Sequence, residues 1–279
     1  MKLGYSTWGM PMLSVDEQIH HVADLGYQGI ELICIANSTT DVEHVDAAER
    51  RRIRRLLDAS GLALPSIAGS ADPLATDPET LARNIRRIEA GVDLASDLAG
   101  PDGAPCLVIM AYGQSERYEQ DREMVAGRFT DLAIYAQERD VVLALETHVG
   151  QAIDLPERAL WLLNQVDHPN LKLNLDTSHF DVMGLSIAES VRPLVHHAVH
   201  THVKDQRGRY PLYEYLTPGD GDYDYVAYLK EMHAGGYTGF ITAEISLMVQ
   251  RKPGYDPVTA ARQSYATLSS ALSQAGLVA

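Results

Sequence analysis

The chain has 279 residues, is 46% hydrophobic and carries a formal net charge of -15. That acidity argues against nucleic acid, whose phosphates need Lys and Arg to displace counterions, and against an anionic membrane surface. No run reaches the ~18 apolar residues of a membrane helix, MKLGYSTWGM lacks an apolar signal core, and Cys34 and Cys106 sit in apolar runs, so a soluble, cytoplasmic chain with reduced thiols is expected.

Short apolar runs alternate with helical patterns along the chain. Strands are expected at 2–8, 29–35, 62–68, 106–112, 141–148, 171–177, 197–203 and 239–245. After the first, Ser14 and Glu17 form a capping box ahead of Ile19, Val22, Ala23 and Gly26 on one face. Asp77-Pro78 opens a helix with a cap and an N1 proline, and its stripe is Leu81, Ile85, Ile88, Val92 and Ala95. Asp154 and Glu157 repeat the capping pattern before Ala159, Leu160 and Leu163. Gly235-Gly236 ends a helix over 223–234, and the last helix covers 257–274. The stretches YPLYEY and YDYVAYL read as loop and helix packing. Eight β-then-α units without a linker or composition break indicate one (β/α)8 TIM-barrel domain over 1–279, with a doubly wound open sheet as the alternative.

The strand ends of the second half share a chemistry. The fifth ends in Glu146 and His148, which point to one side of a strand because they are two apart. The sixth ends in Asp176, with His179 three residues on. The seventh ends in His202, followed by Lys204 and Asp205, and the eighth in Glu244. In a barrel these ends are neighbours on the face that carries active sites. Three carboxylates and an imidazole repel or strand buried charge unless a cation joins them. Mixed oxygen and imidazole donors without a thiolate suit one divalent ion: Mn2+ first, with Mg2+, Co2+ and Zn2+ as alternatives. A lone acid at a strand end is ordinarily a surface or capping residue; the ordered set of four carries the inference. His200, one pleat before His202, reads as a satisfied interior histidine, and His20, His21, His44, His196 and His197 have no assigned chemistry.

The ordered motifs GYQGIEL, LETH, NLDTSH, HVKD, PGDGDYDY and AEIS resemble the sugar-phosphate isomerase/epimerase superfamily of xylose-isomerase-like barrels, over nearly the whole chain. That superfamily includes ketose 3-epimerases, inosose dehydratases, hydroxypyruvate isomerases and 3-keto-glycoside-processing relatives. The resemblance implies that Glu146, Asp176, His202 and Glu244 ligate the metal. It implies that His179 and an arginine after the seventh strand contact substrate; Arg207 and Arg209 both qualify, and Lys204 joins this group. The resemblance to endonuclease IV stops at the metal set: SIAGSADP and MAYGQSE lack the extra histidines of a three-metal site.

The expected activity is isomerisation or epimerisation of a sugar or keto-sugar, by proton abstraction beside a carbonyl through a metal-stabilised enediolate. Glu146 and Glu244 are the candidate bases and His148 the competing one. A similar Glu-x-His in subunits that cleave 3-keto C-glycosides keeps a lyase on a keto-sugar, keto-inositol or 3-keto C-glycoside as the alternative; a non-catalytic sugar- or metal-binding barrel is the third reading. The expected partner is a small sugar, with a homo-oligomer or a second subunit open. Arg251 and Lys252 lie where barrels often bind phosphate. Pro253 and Pro257 remove backbone donors there, so an unphosphorylated substrate is expected, with Leu247, Met248 and Val249 serving a lid or subunit contact.

Overall fold

The computed structural model describes residues 1–69 and 71–277. Its strands, in chain order, are β1 (Lys2–Ser6), β2 (Gly29–Ile33), β3 (Ala63–Ala68), β4 (Cys106–Met110), β5 (Leu143–Glu146), β6 (Leu171–Asp176), β7 (Ala198–Val203), β8 (Asp205–Arg209), β9 (Leu212–Leu216) and β10 (Phe240–Ala243). The eight expected strands, β1–β7 and β10, form a closed parallel barrel that seals through β1 against β10. The fold is therefore a (β/α)8 TIM barrel, and the open-sheet alternative is set aside.

The hairpin β8–β9 is an addition that the sequence reading took for loop packing. It pairs antiparallel from Asp205↔Leu216 to Arg209↔Leu212. Its run DQRGRYPLYEYL has few aliphatic residues and no clean alternation, so the period-2 signal that marks a half-buried strand is weak.

The helices are α1 (Val15–Asp24), α2 (Ala47–Ser60), α3 (Pro78–Asp97), α4 (Tyr118–Gln137), α5 (Pro156–Val166), α6 (Thr177–Val182), α7 (Ile187–Val191), α8 (Tyr225–Ala234), α9 (Leu247–Gln250) and α10 (Pro257–Ala275). Ser14 and Glu17 form the full capping box of α1, and Asp77 with Pro78 starts α3. Asp154 departs from expectation: α5 is preceded by Leu155 with no side-chain cap. The Asp154 carboxylate instead accepts from Arg158 Nη1 at 2.8 Å, because it is buried and a guanidinium one turn away is the stronger partner.

Besides a small cluster of Val149, Val182 and Tyr215, two apolar regions hold the barrel. The large one fills the space between sheet and helices, with Tyr5, Ile30, Leu32, Leu107, Leu145, Leu173 and Ile241 facing Ile19, Ile53, Val92, Phe129, Leu162 and Leu268. The small one, Cys106, Val108 and Ala144 with Ala68 and Val142, is separate from it. Both thiols are free and buried, and burial pushes Cys34 up to about 12. Among the described residues no helix is long and apolar enough to cross a membrane.

Candidate metal centre and active-site cleft

Register builds the centre. Asp176 pairs with His202 across β6–β7, His202 with Thr242 across β7–β10, and Glu146 with Asn174 across β5–β6. Side chains two apart share a face, so Asn174 and Asp176, and His200, His202 and then Lys204, follow one another up one side of their strands. Donor atoms of Glu146, Asp176, His202 and Glu244 all lie within 4.8 Å of one another. Donors ~2.0–2.2 Å from one ion lie at most ~4.4 Å apart, so a small contraction closes the set.

His202 is the hub. Its Nδ1 lies 3.1 Å from Glu146 Oε1, 3.7 Å from Glu244 Oε1 and 3.0 Å from Asn174 Nδ2. Its Nε2 lies 2.9 Å from both oxygens of Glu31. Asp176 Oδ1 accepts from the Ser178 amide at 2.9 Å and the Ser178 hydroxyl at 2.6 Å, which also caps α6. Lys204 Nζ donates to Asp176 Oδ2 at 2.5 Å and to Glu244 Oε2. The ammonium therefore bridges two of the candidate ligands. Asp205, beside it, is buried and accepts from the amides of Gly219 and Tyr223 at 2.8 and 3.1 Å. That pins the PGDGDY segment, so Asp205 holds a loop.

The charges follow from this packing. Burial, opposed by His202 and reinforced by Glu244, holds the Glu146 carboxyl above the usual carboxylate range. Burial would raise Asp176 too, but Lys204 and then His179 hold it low. Burial works against the cations, yet Glu31 and Glu244 keep His202 protonated well above the usual imidazole range, and Asp176 and Glu244 do the same for Lys204. The donor chemistry fits a divalent cation: clustered acid, an imidazole, and two protein cations balancing charge where such an ion would sit.

A solvent-open cleft of about 170 Å³ lies over this centre, smaller than the ~300–1,000 Å³ usual for small-molecule sites. Glu146, His148, His179, His202, Lys204, Tyr215 and Glu244 line one part; Trp8, Ile35, Ala68, Val108, Met110 and Leu247 line the rest. β5 ends at Glu146, so His148 lies one pleat beyond it and still borders the cleft. Its ring stacks on His179 with centroids 4.0 Å apart. His179 is buried; its Nδ1 meets the Tyr215 hydroxyl at 2.6 Å, and its Nε2, 3.5 Å from Asp176 Oδ2, has no hydrogen-bond partner among the described residues. Burial, and then His148, hold His179 well below the usual imidazole range, so it is neutral.

The two arginines do not join this group. Arg207 and Arg209 are 58% and 60% exposed and line other surface hollows. Arg207 reaches Glu214 and the Asp220 carbonyl, and Arg209 reaches Asp181. The hairpin turns their face of β8 outward, away from the residues that line the cleft. Tyr215 and Glu31 are the residues sequence reading missed. Glu31 stands inside the quoted GYQGIEL, an acid in an apolar strand and therefore a visible signal.

The chain belongs to the xylose isomerase-like TIM barrel family, whose profile matches residues 19–270. A 3-dehydroshikimate dehydratase from Bacillus anthracis is 31% identical over 93 residues, covering 33% of this chain and 33% of that protein; the match spans a third of that relative's length. Among solved structures, D-psicose 3-epimerase from Clostridium cellulolyticum H10, crystallised with D-tagatose, superimposes with a TM-score of 0.81 at 17% identity, covering 99% of each chain. The IOLI protein with a bound zinc atom gives a TM-score of 0.80 at 18% identity, covering 98% of this chain and 99% of that one.

Proposed function

We propose that this chain is a divalent-metal-dependent isomerase or epimerase that moves a proton beside the carbonyl of an unphosphorylated sugar or keto-sugar. The observation that carries the reading is the convergence of Glu146, Asp176, His202 and Glu244, three of which, Glu146, His202 and Glu244, line the cleft. These four would hold the ion, with Mn2+ the leading candidate and Mg2+, Co2+ and Zn2+ open; the zinc of the IOLI structure supports a divalent ion there. Such an ion, when bound, supplies Lewis-acid polarisation of the substrate carbonyl.

The chain's own groups supply the rest. Glu146 enters from β5 and Glu244 from the end of β10, with β6 and β7 between them. Two carboxylates reaching the cleft from separated strands suit removal of a proton by one and return by the other. Burial holds the Glu146 carboxyl above the usual carboxylate range, which suits a proton-accepting role. His179, neutral and held by Tyr215, offers its unpartnered Nε2 to a substrate oxygen. Lys204 balances the carboxylates and can donate to a hydroxyl. His148, stacked on His179, stays the competing base.

One arrangement favours a second reading. Expelling a β-substituent needs a proton donor for the leaving group, and Lys204 and the His148–His179 pair stand beside the carboxylates. That supports a lyase on a keto-sugar, keto-inositol or 3-keto C-glycoside, and the dehydratase relative agrees.

Incubation of Mn2+-loaded protein in D2O with ketohexoses, 3-keto-glycosides and an inosose separates them. Deuterium at a carbon beside the carbonyl of an epimer or isomer supports the first reading, and an unsaturated or cleaved product the second. No exchange or turnover with any substrate sinks both. Phosphate is tested in parallel. Lys252 is engaged with Glu214 at 3.5 Å, so a sugar phosphate should not be preferred over the free sugar by more than about tenfold, ~1.4 kcal/mol of transition-state binding, and Arg251→Ala should leave that ratio unchanged.

A further inference from the structure

Beneath the centre lies a second buried polar group that the proposed chemistry does not use. Glu31 on β2 is fully buried. Its Oε2 accepts from the Ser66 hydroxyl at 2.8 Å and lies 3.4 Å from His200 Nε2, which itself meets Ser66 Oγ at 2.9 Å. Both Glu31 oxygens lie 2.9 Å from His202 Nε2, the ring nitrogen that faces away from Glu146 and Glu244.

We infer that Glu31 is a positioning residue for the metal centre: by holding the proton on His202 Nε2 it fixes the ring and presents the lone pair of Nδ1 to the ion. An imidazole has one donor and one acceptor nitrogen when neutral, and the partner of the nitrogen that does not ligate decides which is which. A carboxylate there also makes the ring a better ligand. The Asn174 side-chain amide lies 3.0 Å from Nδ1 on the other side of the ring. Glu31 comes from the far part of the barrel: β2 is separated from β7 by β1 and β10 on one side and by four strands on the other. The closed barrel is what brings it under His202. The same atoms admit a rival role, because Glu31, His200 and His202 also have donors within 4.8 Å of one another and could hold an ion themselves.

The inference rests on the reading that His202 is a metal ligand, and the experiment separates the two. Mn2+ stoichiometry and Kd are measured by equilibrium dialysis on wild type, Glu31→Gln, Glu31→Asp and Ser66→Ala. Long-range 1H–15N spectra of the histidine rings report the His202 tautomer in the metal-free protein at high pH. Wild type should bind one ion. Glu31→Gln should weaken Mn2+ about 10- to 100-fold, lower the population of Nε2–H His202, and still bind one ion when saturated. Glu31→Asp, which keeps the charge, should fall between, and it serves if Glu31→Gln does not fold. Ser66→Ala, which removes a Glu31 contact but not the ring contact, should stay within about threefold of wild type. A Kd for Glu31→Gln within about twofold of wild type overturns the inference and leaves the metal reading standing. Two ions in wild type and one in the variant overturn it in favour of the rival. No ion bound by wild type removes both.

Discussion

Glu146, the proposed base, is held where its charge is costly. Burial raises it above the ordinary range, although His202 pulls it down. A carboxyl whose folded pKa is raised loses stability for the protein at all pH values above its unfolded one. A neutral isostere removes that cost. Glu146→Gln should therefore raise the melting temperature of the metal-free protein at pH 8 in EDTA, while it weakens Mn2+ binding and abolishes turnover. A lower melting temperature in EDTA would show that the His202 contact outweighs burial. Tyr215 acts on a different partner. Tyr215→Phe removes the hydroxyl that satisfies His179 Nδ1 at 2.6 Å. It should lower kcat/KM about tenfold, ~1.4 kcal/mol, with Mn2+ Kd unchanged. An altered Kd would mean that Tyr215 supports the ligands rather than His179.

The elements that matter most for the cleft are the irregular ones. The β8–β9 hairpin carries Tyr215 on the inside and the two arginines outside, and α9 leans on it through Met248 Sδ, which accepts from the Tyr215 amide at 3.4 Å. Gly208 lets the hairpin close: its φ is +84°, and a Cβ there would lie 2.5 Å from the Leu212 carbonyl. Gly208→Ala strains the backbone and pushes the strands apart, a cost of ~1–3 kcal/mol. It should reproduce the Tyr215→Phe loss of kcat/KM with Mn2+ affinity intact, a split read by steady-state kinetics beside dialysis. On the other side, the loop after β2 is tied to α3 by Arg87, whose guanidinium meets the buried Asp41 at 2.5 Å and the Cys34 carbonyl at 3.2 Å. Arg87→Ala leaves that carboxylate without its cation and should cost ~3–5 kcal/mol, read as a lower urea midpoint.

At the scale of the whole molecule, a metal ion at the proposed centre would couple folding to metal and to pH. If one ion binds the folded chain alone, Mn2+ at a hundred times its Kd adds ~2.7 kcal/mol, so the melting temperature should climb with Mn2+ and return with EDTA; no shift would count against a structural ion site. The pH sign follows from the two depressed acids. Burial opposes both, but His202 and His200 hold Glu31 low, and Lys204 holds Asp176 low. Their contribution is present above their unfolded values, ~4.3 and ~3.9, and is lost as pH falls through the folded ones. Metal-free protein should therefore lose stability steeply below about pH 4. Mn2+ binding should tighten from pH 6 to 8, because Nδ1 of His202 must give up its proton to become a donor. An affinity flat with pH would show the ring already neutral.

The sequence alone determined the eight barrel strands, their order and the four converging strand ends, because each is a local signal. Apolar runs of the right length recur between capped helices, and an acid or histidine closes four successive runs. Local pattern also placed His179 and Lys204 near those ends. What it could not decide depends on contacts between residues far apart in the chain. Arg207 and Arg209 have the right chemistry at the right distance from His202, but a hairpin without apolar alternation turns them to solvent. Asp154 has the spacing of a cap, yet burial beside Arg158 gives its carboxylate a charged partner. Glu31 stands 171 residues from His202 and meets it only because the sheet closes on itself. Closure is a global property of twist, stagger and register, and no stretch of sequence states it; the cost of burying a lone charge then fixes which distant partners must meet.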